Sequence, residues 1–389
     1  MATAPPPSPQ HLTFRVRLEQ FWRRVSEGLA LSQLWSQFEG EARASYRLYS
    51  KDVEARTPEG LTRGGHRLHV IKEFFWALME KLSPARRVLL LVALVLLVLP
   101  HGGFSYNGEG GKVYAVEFDA HFWAALLLFL LLMLEVADRV VMKRDLQIAR
   151  EIQTWLLPGA PPQIPGLAIA YVTRPANTVA GDYYDVFPRP GKTSDDHRVV
   201  FAIADVAGKS IPAAMLMATF QASLKTLSTA QVALPELAAN MNRYACSNSQ
   251  GGLRFTTAFL AEYDAEHRTF YYINAGHNNP ILRRASGQIE RLNVGGLPFG
   301  IMPEVKYEAG TVALEPNDWL ILFTDGLVEA ENARQDEYGE RRVLSELEAG
   351  KSLSPAELLK RLMASIDLFV GDTPQHDDIT CMLLKADAS

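Results

Sequence analysis

Two runs along the chain, 88–99 (VLLLVALVLLVL) and 122–134 (FWAALLLFLLLML), are apolar on every helical face and lack the polar stripe that a core helix of a small soluble domain shows. Each uncharged run is shorter than the ~17–25 residues that cross a bilayer, but extension through 100–104 and 118–121 gives about 17 in each. Only His101, Asp119 and His121 then have to sit near a headgroup surface. Arg86 and Arg87 precede the first run and Arg139, Lys143 and Arg144 follow the second, against Lys112 between them. That asymmetry predicts an α-helical hairpin of two transmembrane spans within 83–137, both ends cytoplasmic, in the inner (cytoplasmic) membrane.

Ahead of the hairpin, apolar residues fall at helical spacing (Phe14, Leu18, Phe21, Val25, Leu29, then Leu31, Leu34, Trp35, Phe38) with Arg15, Arg17, Arg23 and Arg24 interleaved. The pattern predicts an amphipathic helix in a helical region 11–82, packed on other helices or lying on a membrane surface. MATAPPPSPQ, with four prolines and no periodicity, reads as a disordered leader over 1–10 rather than a cleavable signal peptide. Beyond the hairpin, no Gly or Pro interrupts 113–157. The second span is therefore expected to continue as a linker helix over 138–158, stopped by Pro158. Val141, Ile148, Ile152 and Trp155 approximate a heptad seam that Asp145 interrupts, which predicts either a homodimer through this helix or a helix lying on the next domain.

After the proline-rich joint 158–166 the texture changes to short β-branched and aromatic runs between turn residues. Strands are predicted over 167–173, 183–187, 198–205, 256–263, 269–274, 311–314, 319–324 and 379–384, and helices over 211–227, 235–247, 341–349 and 355–369, with Ser354 as a cap. Strands and helices in clusters, without strict alternation, give an α+β domain over 159–389.

Composition narrows the class. The 389 residues, 48% hydrophobic and 21% charged, bury a sizeable core. Cys246 and Cys381 stand far apart with no metal-ligand neighbourhood and read as free thiols in a reducing compartment. Residues 1–87 carry 14 Lys and Arg against 9 Asp and Glu, so the net −5 of the chain conceals a basic front and an acidic body. An acidic body argues against nucleic acid as partner, and a basic front suits anionic lipid.

The candidate chemistry lies at the ends of apolar strands. VVFAIAD ends on Asp205, WLILFTDG carries Asp325, QHDDIT carries Asp377 and Asp378, and AGDYYDVF carries Asp182. Any single aspartate there is a turn-former or a cap, but several converging carboxylates make an oxygen-donor site for Mg²⁺ or Mn²⁺. GKS at 208–210 fails as a phosphate-binding loop because Ile203 occupies the position of the first glycine. HExxH, GxSxG and GxGxxG are absent. His277 in NAGHNNP can ligate, bind phosphate or order its loop, and the last is favoured because no second His or Cys stands at ligand spacing.

The strings AREIQTWLLP, AGDYYDVF, DVAGKSIPAAMLMA, TTAF, NAGHNNP, GLPFGI, LFTDGLVEAEN, YGERR and DDIT resemble, in order, bacterial PPM-type (protein phosphatase 2C-like) serine/threonine phosphatases of the SpoIIE/RsbU branch. Ala180, Ala207 and Asn279 depart from the usual Gly, Ser and Pro. The resemblance implies an αββα sandwich of two antiparallel sheets with two Mn²⁺ or Mg²⁺ ions at one end. Carried over by position, Asp182 matches the first metal aspartate, Asp205 the bridging one with the Val206 carbonyl beside it, Asp325 the third, and Asp377 or Asp378 the last, Asp377 being favoured. The expected activity is hydrolysis of phosphoserine or phosphothreonine by metal-activated water, on a phosphorylated protein such as an anti-sigma-factor antagonist. The linker helix would act as a switch. The rival is a silent membrane scaffold or phosphoprotein-binding module, whose mark would be a missing metal aspartate. A nuclease is disfavoured because no basic stripe is present.

Overall fold

The computed structural model describes residues 75–76, 79–80, 82–99, 102–107, 113–190, 197–249 and 254–387. The expected leader and the amphipathic helix over 14–38 lie outside these residues. Contacts divide the chain into two compact units, Met1–Asp138 and Arg139–Ser389.

In the first unit, α1 (Pro84–Val98) opens with proline at its N-terminus, where no backbone donor is missed, and closes where Leu99 turns extended. Pro100 follows, and the residue before a proline is driven out of the helical region. The chain continues as β1 (Gly102–Asn107), paired antiparallel with β2 (Val113–Phe118), so that Phe104 faces Val116. This corrects the expected extension of the first span through 100–104, of which 102–104 belong to a strand. Phe118 likewise belongs to β2, and Asp119 is a cap: its carboxylate accepts the N–H groups of His121 (3.0 Å) and Phe122 (3.1 Å). Then α2 (Ala120–Leu156) runs 37 residues without a break, as its lack of Gly and Pro dictates. Among the described residues, α2 is the helix long and apolar enough to cross a membrane, whereas α1 has 15 residues. Arg86 pairs with Asp138 at 2.7 Å, joining the start of α1 to the middle of α2.

The second unit is a sandwich. One sheet runs β10–β7–β6–β5–β4, with β11 also on β7, and the other runs β3–β13–β12–β8–β9. The strands are β3 (Leu167–Arg174), β4 (Tyr183–Pro190), β5 (His197–Val206), β6 (Thr256–Asp264), β7 (Thr269–Ala275), β8 (Ile281–Arg283), β9 (Ile289–Arg291), β10 (Gly295–Gly296), β11 (Gly310–Ala313), β12 (Trp319–Phe323) and β13 (Ile379–Ala386). Alternation along each strand sorts the layers. On β5, Phe201 and Ile203 enter the core between the sheets with Leu320, Leu322, Met382 and Leu384 of the opposite sheet. Ala202, Ala204 and Val206 face outward onto α3 (Ser210–Leu227) and α4 (Leu234–Ser247) through Met217, Leu224 and Leu237. On β12, Trp319, Ile321 and Phe323 face α6 (Glu340–Ala349) and α7 (Pro355–Val370) through Val343, Leu347, Leu362 and Ile366. The layers are therefore helix, sheet, sheet, helix, and among the described strands the pairing is antiparallel except in the two-residue β10–β7 ladder.

The boundaries differ from expectation for local reasons. β4 extends through Pro188 and Pro190 because it is an edge strand, where a missing donor costs no ladder bond. The short strands β8, β9 and β10, of three, three and two residues, and the single turn α5 (Asp325–Val328) fall below the length at which periodicity is visible. Ser354 caps α7 with Glu357 in a reciprocal capping box.

Candidate active site

Strand register brings the candidate aspartates to one end of the sandwich. Asp205 closes β5 opposite Thr257 of β6, and Tyr183, directly after Asp182, faces Ala204. On the second sheet Phe323 faces Cys381, so Asp325 follows the end of β12 beside the start of β13, where Asp377 and Asp378 lie. Thr324 joins the sheets: its hydroxyl donates to Asp182 Oδ2 (2.8 Å) and accepts the N–H of Thr380 (3.0 Å). Gly326 is obligatory there, since a Cβ would stand 2.2 Å from the Asp378 carbonyl oxygen. Gly181 leaves the Val206 carbonyl uncovered; a Cβ in its place would lie 3.3 Å from that oxygen.

The neighbouring aspartates 377 and 378 are held differently. Asp378 is buried, and its two oxygens accept the N–H groups of Ala176 (2.7 Å) and Gly181 (2.6 Å), pinning the crossover that delivers Asp182. Asp377 is exposed; its Oδ1 accepts the N–H of Asp378 and its Oδ2 meets Lys209 Nζ at 3.1 Å. Lys209 also donates to the His376 carbonyl at 2.8 Å, tying the loop after β5 to the loop before β13. That loop is bent, with Gly208 at φ 121° and Ser210 at φ 62°. A cavity of about 490 Å³ opens here, lined by Lys209, Gly326 and Asp377 together with Arg174, Glu329 and His376.

The electrostatics are those of crowded carboxylates. Burial, then the charge of Asp205, holds Asp182 well above the usual carboxylate range, against hydrogen bonds from Thr380 and Thr324. Asp205 is pushed up to about 7 by burial and then by Asp325, Asp377 and Asp378, with Lys209 opposing. Asp325 is raised by burial and then by Asp377, opposed by the Gly326 N–H and Lys209.

Comparison with known proteins identifies this arrangement. The family model described as stage II sporulation protein E (SpoIIE) matches residues 195–387. Phosphoserine phosphatase RsbU of Bacillus subtilis (strain 168) is 30% identical over 245 residues, 62% of this chain and 70% of that protein. The chain belongs to the SpoIIE/RsbU branch of the PPM-type serine/threonine phosphatases. Phosphoserine phosphatase RsbP of the same organism is 24% identical over 190 residues, 48% of this chain and 46% of that protein. The solved SiaA-PP2C domain of Pseudomonas aeruginosa shares the fold, with TM-score 0.56 and 20% identity over 64% of this chain and 99% of that one.

PP2C-family phosphatases depend on metal ions. The chemistry of the residues of this phosphatase fits a hard divalent cation: Asp182, Asp205, Asp325 and Asp377 offer carboxylate oxygen, and the Val206 carbonyl faces Gly181. Among the described residues no three His, Cys, Asp or Glu side chains converge closely enough to hold an ion as they stand.

Lys209, Thr324 and Gly326 were not singled out from the sequence, although each lies inside a motif of the resemblance. Lys209 was weighed only as part of a phosphate loop. Gln153 is a fourth: buried on α2, its Nε2 donates to the Ala180 carbonyl (2.7 Å) and its Oε1 accepts the Ala180 N–H (2.9 Å), two residues before Asp182. A buried glutamine among exposed apolar neighbours was the available signal.

Proposed function

We propose that this enzyme is a membrane-tethered phosphatase that removes phosphate from serine or threonine of a regulatory protein, an anti-sigma-factor antagonist being the substrate that the family relationship favours. The observation that carries the reading is the meeting of Asp205 and Asp325 from two sheets with Asp377 beside them, where burial and then the neighbouring charges raise the first two and Lys209 opposes. Repelling carboxylates of that kind are satisfied by cations. Asp182, Asp205, Asp325 and Asp377, with the Val206 carbonyl, would hold two Mn²⁺ or Mg²⁺ ions. When bound, such ions lower the pKa of a water and supply the nucleophile.

The rest falls to the chain's own groups. Asp378 clamps Ala176 and Gly181 and so fixes where Asp182 stands. Thr324 holds Asp182 against the second sheet. The cavity beside Asp377 admits the phosphorylated segment, with Lys209 at its edge as a cation for phosphoryl oxygens. Coupling between Gln153 and Ala180 supports a linker helix that acts on the site, and the exposed Val141, Ile148, Ile152 and Trp155 support pairing of that helix in a homodimer. The apolar length of α2 supports a membrane anchor, with the phosphatase unit on the cytoplasmic side.

Phosphate release by the full chain, from a phosphoserine protein and from a generic aryl phosphate, with Mn²⁺ and with chelator, tests this reading. Metal-dependent turnover of the phosphoprotein is expected. Turnover that persists in chelator would reject the metal-dependent reading, and none on any phosphoprotein would reject the enzyme reading and favour the scaffold.

A further inference from the structure

His277 belongs to none of the roles above, yet the turn after β7 is built to carry it. Gly276 adopts φ 67°, and a Cβ there would stand 2.4 Å from Pro298 Cγ. The His277 N–H donates to Asn274 Oδ1 (2.7 Å), while Asn274 Nδ2 donates to Asn279 Oδ1 (3.0 Å) and to the Leu292 carbonyl (3.1 Å). Those bonds fix a ring that is 5% exposed.

The ring reaches the functional end of the first sheet. Nδ1 lies 3.1 Å from the hydroxyl of Thr257, the residue opposite Asp205 in the β5–β6 ladder, and that hydroxyl is 3.5 Å from the Asp205 carbonyl. Nε2 is buried and makes no hydrogen bond among the described residues, while the Phe323 backbone, two residues before Asp325, stands close enough to raise its proton affinity. Burial outweighs that influence and brings the ring down to about 4, so it is neutral at ordinary pH. A neutral imidazole has one N–H and one lone pair. With the N–H on Nδ1, the ring donates to the Thr257 hydroxyl, whose own proton is then directed to the Asp205 carbonyl.

We propose that His277 is a positioning residue that, through Thr257, holds the end of β5 bearing Asp205, and thereby the fit of the metal centre; the inference rests on reading that carboxylate as part of that centre. No carboxylate needs to touch the ring. Partners of this outer kind typically change metal affinity by about 10–100-fold.

The test is Mn²⁺ titration calorimetry on the full chain in detergent, with thermal midpoints in chelator and phosphate-release rates alongside. His277→Ala is expected to weaken Mn²⁺ binding by about tenfold or more and to lower kcat, with KM for the phosphoprotein little changed. His277→Asn, which keeps a group at the Nδ1 position for Thr257, should recover part of the affinity. Thr257→Val should weaken binding in the same direction, and its combination with His277→Ala should add little. Wild-type affinity and kcat in His277→Ala would overturn the inference. So would a loss that merely follows the thermal midpoint and that His277→Asn does not relieve. If His277→Ala does not fold, His277→Asn and Thr257→Val decide: wild-type Mn²⁺ affinity in both would overturn it. A wild-type chain that binds no Mn²⁺ would instead bring down the metal reading itself.

Discussion

Helices α1 and α7 have 15 and 16 residues, with twelve Ala, Val and Leu in α1 against eight Ala, Val, Leu and Ile in α7, and they place them differently. In α7 the buried positions Leu358, Leu359, Leu362 and Ile366 recur at three- and four-residue spacing against β12 and β13. In α1, Ala93 is buried while Val88, Leu91, Val92, Val95 and Val98 are exposed, and Phe122, Phe129 and Leu132 continue the theme in α2. A single stripe tells a helix which neighbour to choose. Apolar residues all round call for an apolar medium, which is why the anchor is proposed for α1 and α2 and not for α7.

The largest expected effect separates the two regions by location. Reporter fusions after Glu80 and after Asp145 should both read cytoplasmic, and one after Gly110 external. Full-length protein that stays soluble without detergent would mean that α1 and α2 bury their faces against protein instead. Next in size is chemistry, which should reside wholly in the sandwich. Asp205→Asn and Asp325→Asn remove negative ligands and should each lower turnover by on the order of 10³-fold, since several kcal/mol of charge stabilisation depend on the ions. Thermal midpoints in chelator should not fall, because the Asn variants relieve repulsion. Near-normal Mn²⁺-dependent rates in either variant would reject the assignment.

Packing sharpens the contrast further. Leu362→Ala, in a closed core, should cost about 2–5 kcal/mol of unfolding free energy in denaturant titrations. Leu91→Ala, on an exposed face of α1, should stay within about 0.5 kcal/mol in the same detergent. Equal losses would erase the distinction drawn between the helices.

What was legible in the sequence follows from the same physics. The unbroken apolar runs in VVFAIAD and WLILFTDG placed β5 and β12, because both faces of each strand are buried in named layers. The aspartates were legible because each ends or precedes such a strand. The distinction between Asp377 and Asp378 was not, since it depends on N–H groups of Ala176 and Gly181 about 200 residues earlier in the chain. The extension of the apolar run through Pro100 counted residues but ignored what proline does to its predecessor, and the β1–β2 hairpin was lost with it.

The smallest expected effect concerns the segment in which the two regions share one helix. On α2, Gln153 bonds twice to Ala180, whereas Ile148, Ile152 and Trp155 remain exposed on neighbouring positions, Trp155 at 79%. An exposed tryptophan beside a buried glutamine gives the helix one face committed to the site and one left for a partner. Such an element can bias the site only if its position has alternatives. Gln153→Ala, which removes both bonds and leaves the Ala180 carbonyl and N–H without them, should lower turnover of fragment 139–389 by on the order of tenfold, within ordinary coupling energies. Ile152→Asp leaves those bonds in place and should convert a dimeric fragment to monomer in light scattering, with a loss of about fivefold, at the low end of the same range. The two variants together distinguish a switch from a tether. A monomeric Ile152→Asp fragment with full activity would mean that pairing does not reach the site. Full activity in Gln153→Ala would mean that the helix does not act through Ala180 at all.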